Sequence, residues 1–220
     1  MNEKEYQNLH LFTDTNLLSL NSNLLASIEI RTSGNRPCYD DLVQVAILPL
    51  NAQFKPHKGI LPFFADIQPK RPQNIELDRT TLPQSELFRI KKDGSDSYFA
   101  ADLFENWFNK IKFEPLDKKL SIVAHDFVSK RPFLIDWLGI EHFYHFFDYR
   151  YRDVMTAALY ANDRADFSCS QIPYPKVHLQ YLCSQLKVER KGGPGAKNID
   201  ILEDCVAIAE VYKRMMGQVF

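Results

Sequence analysis

Residues 120–139, LSIVAHDFVSKRPFLIDWLG, restrict the fold more than any other part of this chain. The first five, Leu120-Ser121-Ile122-Val123-Ala124, are a short apolar run suited to a fully buried strand. The second half places Phe133, Leu134, Trp137 and Leu138 at helical spacing, with Pro132 in the first turn, where a missing N–H is tolerated. A buried strand followed at once by an amphipathic helix argues for an α/β sheet. His125-Asp126 then falls at the carboxyl end of the strand, where such sheets gather ligands.

The rest of the chain fits around that unit. Residues 1–23 are polar and Asn-rich, with Leu17, Leu18 and Leu20 as an apolar cluster, and read as an N-terminal extension to a domain spanning 24–220. Strands are predicted at 24–31, 42–48 and 61–67, the first two joined by a short turn-rich segment as an antiparallel hairpin. Residues 73–97 are polar and read as irregular, with an exposed turn at Lys91-Lys92-Asp93-Gly94-Ser95. A helix follows with Phe99, Leu103, Trp107, Phe108 and Ile111 on one face. A further strand is expected at 145–149 and helices at 153–161, 176–186 and 200–216. The last carries Ile201, Cys205, Ile208, Ala209, Tyr212 and Met215 on one face. Three hairpin-like strands, then strand–helix alternation, then helices give an α/β fold with a mixed sheet.

Charge and cysteine content bound the function. A net charge of -1 over 220 residues offers no global attraction to nucleic acid, so any such contact needs a local patch. The Gly-rich segment 187–197 is one candidate, with Arg190, Lys191 and Lys197 placed to touch phosphate. No apolar run approaches the roughly 20 residues that span a membrane, and the N-terminus lacks a secretory pattern. Cys38, Cys169, Cys183 and Cys205 are scattered without a CxxC pair, which points to reduced, mostly packed thiols in a cytoplasmic protein.

Three motifs resemble those of the DEDD exonucleases, proofreading-type 3'–5' nucleases of the RNase H-like fold, in the subfamily that uses histidine (DEDDh). SIEIRTSG resembles Asp-x-Glu-Thr-Thr-Gly and places Glu29 on the family's Asp and Arg31 on its Glu. VAHDFVSKRPFL resembles the His-Asn-x-x-Phe-Asp motif and places Lys130 on its Asp. IDILEDCVAIAEVYKRM resembles the last helix and places Asp204 on the final metal-binding Asp and Ile199 on the catalytic His. The subfamily that uses tyrosine would need that residue where Asp200 stands. The resemblance runs from about residue 24 to the end and implies an RNase H-like mixed five-stranded sheet flanked by helices.

That family holds two divalent cations with four carboxylates and removes a proton from water with its His. Here the four positions, Glu29, Arg31, Lys130 and Asp204, sum to about zero charge where the active pattern gives about -4. Protonated Arg and Lys donate hydrogen bonds and offer no lone pair to a hard cation. Each also repels it, by roughly 4 kcal/mol at about 4 Å and an effective dielectric near 20. No catalytic residue is intact, and no metal is expected. A rescued cation site would need Glu29, Asp126 and Asp204 together. His125 reads as a brace at the strand end or a minor contact to nucleic acid.

The leading expectation is therefore a pseudo-exonuclease that needs no cofactor and binds nucleic acid weakly, or a protein partner. One alternative is an active Mg2+- or Mn2+-dependent 3'–5' exonuclease with rearranged ligands drawn from Asp40, Asp41, Asp126, Asp200 and Asp204. The other is a structural subunit of a replication or phage-type assembly.

Overall fold

A computed structural model describes residues 24–71, 82–111, 119–190 and 200–219. The predicted extension over 1–23 lies outside them, as do Lys191, Lys197 and Ile199. Strands β1 (Leu24–Thr32), β2 (Leu42–Pro49) and β3 (Phe63–Asp66) form an antiparallel meander. Strand β4 (Leu120–Ala124) pairs parallel with β1, and β5 (Phe147–Asp153) pairs parallel with β4. The result is a mixed five-stranded sheet of order β3-β2-β1-β4-β5.

Helices cover both faces. On one face lie α1 (Gln84–Asp93), α2 (Ser97–Ile111), α3 (Phe127–Leu138) and α4 (Ile140–Phe146). There the even-numbered β1 side chains Ala26, Ile28 and Ile30 meet an aromatic core of Phe104, Phe127, Phe133, Trp137, Phe143 and Phe146. The other face carries α5 (Val154–Phe167), α6 (Leu179–Gln185) and α7 (Ile201–Val219), packed through Val154, Leu182, Cys205, Ile208 and Met215. Strand periodicity of two sends Glu29 and Arg31 of β1 to the α7 side, and α7 crosses β1, β2 and β4.

Several expectations are corrected. Residues 84–93, read as irregular, form α1, because Leu87 and Ile90 bury against Val43 while Lys91 and Lys92 occupy the last turn, where the helix dipole favours cations. The buried stripe of α2 is Ala100, Phe104 and Phe108, while Phe99 and Leu103 are exposed. His145 and Phe146 end α4, so β5 begins only at Phe147. The helix expected at 176–186 shortens to α6. Helix α3 begins at Phe127, which puts Pro132 in its second turn. The carbonyl deprived of an N–H partner there belongs to the exposed Val128, where water can replace it. Cys183 and Cys205 are buried, but Cys38 and Cys169 are exposed.

The turn that delivers α3 has a specific cause. Asp126 adopts a left-handed conformation (φ 54°), which Asp tolerates better than most residues, and its carboxylate accepts from Ser129 Oγ at 2.8 Å. The buried Asp153, at the end of β5, accepts from the Phe127 amide at the start of α3 and from the Thr156 amide of α5 at 3.0 Å. One carboxylate thus caps two helix N-termini, which fixes α3 over the carboxyl end of β4.

Candidate functional site

Helix α3 and the two facing elements β1 and α7 bring the motif positions together. Glu29 and Asp204 are buried, Glu29 by its place in a central strand and Asp204 because it faces the sheet from the first turn of α7. Lys130 Nζ donates to Glu29 Oε2 at 2.7 Å. Glu29 Oε1 accepts from the Ile30 amide at 3.0 Å and lies 3.5 Å from Arg31 Nη1. Arg31 Nη2 donates to Asp204 Oδ2. Arg190 closes the series, with Nε 2.6 Å and Nη2 2.5 Å from Asp204 Oδ1. The chain Lys130–Glu29–Arg31–Asp204–Arg190 is continuous, and every oxygen of its two carboxylates already accepts a bond or ion pair.

Arg190, read from sequence as a cation placed to touch phosphate, also pairs with Asp204. Its role as an ion-pair partner was not legible because the motif pattern gives no position to it; only the path of the chain after α6 does. His125 is half-buried at the end of β4, with Nε2 2.8 Å from the Val177 carbonyl oxygen, which braces the strand end against the segment before α6. The buried thiols border the network. Burial pushes Cys183 up to about 11, with Arg190 opposing and Asp204 reinforcing the rise. Burial also raises Cys205 well above its ordinary value, with Glu29 adding to the effect. Both are unreactive at neutral pH for that reason.

The residues do not suit a divalent cation. Two carboxylates whose oxygens are all engaged by cations leave no free hard ligands. Among the described residues, no three His, Cys, Asp or Glu side chains are grouped to hold a metal ion. The set Glu29, Asp126 and Asp204 therefore does not form: the Asp126 carboxylate is turned to Ser129 instead. The rearranged ligands are also engaged elsewhere. Asp40 Oδ2 accepts from the Arg36 amide at 2.7 Å, while its buried Oδ1 has no hydrogen-bond partner among the described residues, and Asp41 accepts from Arg71 through its amide and Nε at 2.7 and 3.0 Å. Asp200 Oδ1 accepts from the Leu202 amide at 2.9 Å, at the N-terminus of α7. Each holds a loop or a helix end in place.

Among solved structures, E. coli exonuclease I in complex with a dT13 oligonucleotide is similar to this chain. The two share 17% identity with a TM-score of 0.55, over 87% of this chain and 40% of the other. Cell-death related nuclease 4 (CRN-4) matches with a TM-score of 0.59 at 14% identity, over 89% of this chain and 64% of the other. The chain thus spans less than two thirds of the length of either. These likenesses show the fold, the RNase H-like α/β sheet of exonucleases. No family model matches the chain, and no match was found among curated proteins. No described helix is long and apolar enough to cross a membrane.

Proposed function

We propose that this chain is a catalytically inactive exonuclease-like protein that acts by binding, with nucleic acid as its partner. The observation that carries the reading is the saturation of Glu29 and Asp204 by Lys130, Arg31 and Arg190. Phosphodiester hydrolysis in such a fold needs carboxylates free to hold cations and a base to activate water. Two of the four ligand positions carry cations instead, and a third cation occupies Asp204. Nucleic acid is favoured over a protein partner because the similar E. coli exonuclease I is seen with a bound oligonucleotide. Purified protein is expected to leave single- and double-stranded DNA and RNA intact with millimolar magnesium or manganese. Metal-dependent digestion that disappears in Asp204→Ala would overturn the reading.

A further inference from the structure

We propose that the ion-pair network is itself an anion receptor and takes one backbone phosphodiester through Arg31, Lys130 and Arg190; this rests on the binding role proposed above. The argument begins with depth. The Glu29 and Asp204 side chains are 6% and 1% exposed, whereas those of Lys130, Arg31 and Arg190 are 14%, 15% and 20% exposed. The carboxylates are the more deeply buried members of the network and the cations the more exposed. A solute arriving from water therefore meets positive charge first.

Charge and donor counts then select the solute. Among the described residues of the network, three cations accompany two carboxylates, leaving one positive charge in excess within a largely dehydrated cluster. An uncompensated charge in such a place is unfavourable, and an anion of unit charge offsets it. Lys130 has three N–H donors and uses one on Glu29, while Arg31 and Arg190 carry five each and spend only part of them on Asp204. The guanidinium groups of Arg31 and Arg190 are planar forks that match phosphate oxygens, and the Lys130 ammonium adds a point charge. A phosphodiester supplies a single negative charge and two free oxygens, and a strand of them presents that group repeatedly. The bond to nucleic acid would then be made directly by side chains, with no metal between.

The test uses the full chain and fluorescein-labelled single-stranded DNA and RNA oligomers, read by fluorescence anisotropy at low salt with EDTA present. The wild type is expected to bind, with affinity falling as salt rises in proportion to a few displaced counterions. Arg190→Gln and Lys130→Gln, each checked for folding by circular dichroism, are expected to weaken binding at least tenfold. An oligomer of the same sequence with uncharged methylphosphonate linkages should lose binding to the wild type to a similar degree, which tests the proposal without any variant. Unchanged affinity in the folded variants, or for the uncharged oligomer, overturns the proposal. Inorganic phosphate that raises the melting temperature of a protein that binds no oligomer would also overturn it, assigning the site to the free ion. Oligomer binding that survives in both folded variants refutes this inference alone, a protein that binds neither refutes the nucleic-acid partner with it, and digestion in the magnesium assay refutes the inactive reading beneath both.

Discussion

Removal of the Lys130 ammonium tests whether the network holds the fold together. Its Nζ lies 2.7 Å from Glu29 Oε2, a gross attraction of about 6 kcal/mol at an effective dielectric near 20. Desolvation of both groups offsets much of that, so the net worth of the pair is far smaller. Lys130→Ala nevertheless strands Glu29, and breaking one side of a buried pair costs about 3–5 kcal/mol. Glu29 keeps the Ile30 amide and an Arg31 contact at 3.5 Å, which places the expected cost at the lower end, about 3 kcal/mol. For a domain of this size that lowers the melting temperature by about 6–12 °C. Glu29→Gln should cost less, because Lys130 is long and can turn its charge toward water. The double variant, measured by urea denaturation at pH 7, should then reveal a coupling of about 2 kcal/mol. A Lys130→Ala cost below about 1 kcal/mol, or a coupling indistinguishable from zero, would refute the claim that this pair is structural.

Restoring carboxylates by Arg31→Glu with Lys130→Asp should lower stability without metal and return part of it with manganese, while the unmodified protein gains nothing from millimolar magnesium; a metal-dependent rise in the wild type by thermal denaturation would contradict this. Native protein treated with iodoacetamide should carry two labels, on the exposed Cys38 and Cys169, and four only after denaturation; mass spectrometry that finds native labelling at Cys183 or Cys205 would contradict the assignment of both to the core. Asp148 is buried, which alone would raise its carboxyl, but bonds from Arg150 outweigh burial and hold it below its ordinary value. A lowered folded-state value means its contribution is complete above the unfolded value near 4 and fades as pH falls through the folded one. The stability gap between wild type and Asp148→Asn should therefore shrink on acidification from pH 5 toward 2, and it should be small because Arg150 is exposed. A gap that widens in acid would reverse the sign of that argument.

The strand–helix unit at 120–139 was legible because its two halves carry different periods, and β1 and β2 because they are apolar runs separated by turn residues. The motif positions on them were legible for the same reason. Glu29 and Arg31 share a face of β1 by the two-residue repeat, and Asp204 sits on the first turn of a well-patterned helix. What the sequence left open was local: α1, whose only core residues are Leu87 and Ile90, carries too weak an apolar stripe to be recognised without Val43 opposite it. The stripe of α2 was misplaced because Phe99 and Leu103 look like core residues until the neighbouring helices decide which side is covered.

The chemistry divides along the same line. Residue identity alone puts cations at two ligand positions, since charge belongs to the side chain and not to its setting. Which cation meets which carboxylate is a matter of three-dimensional placement. Lys130 reaches Glu29 because the buried Asp153 carboxylate caps α3 at the end of β4, and Arg31 reaches Asp204 because α7 crosses β1. Arg190 has no place in any motif, and it joins the network only because the chain after α6 passes beside Asp204. Side-chain charge is inherited from sequence, but ion-pair distance and burial arise from elements far apart in the chain, and only the packed sheet and its helices could set them.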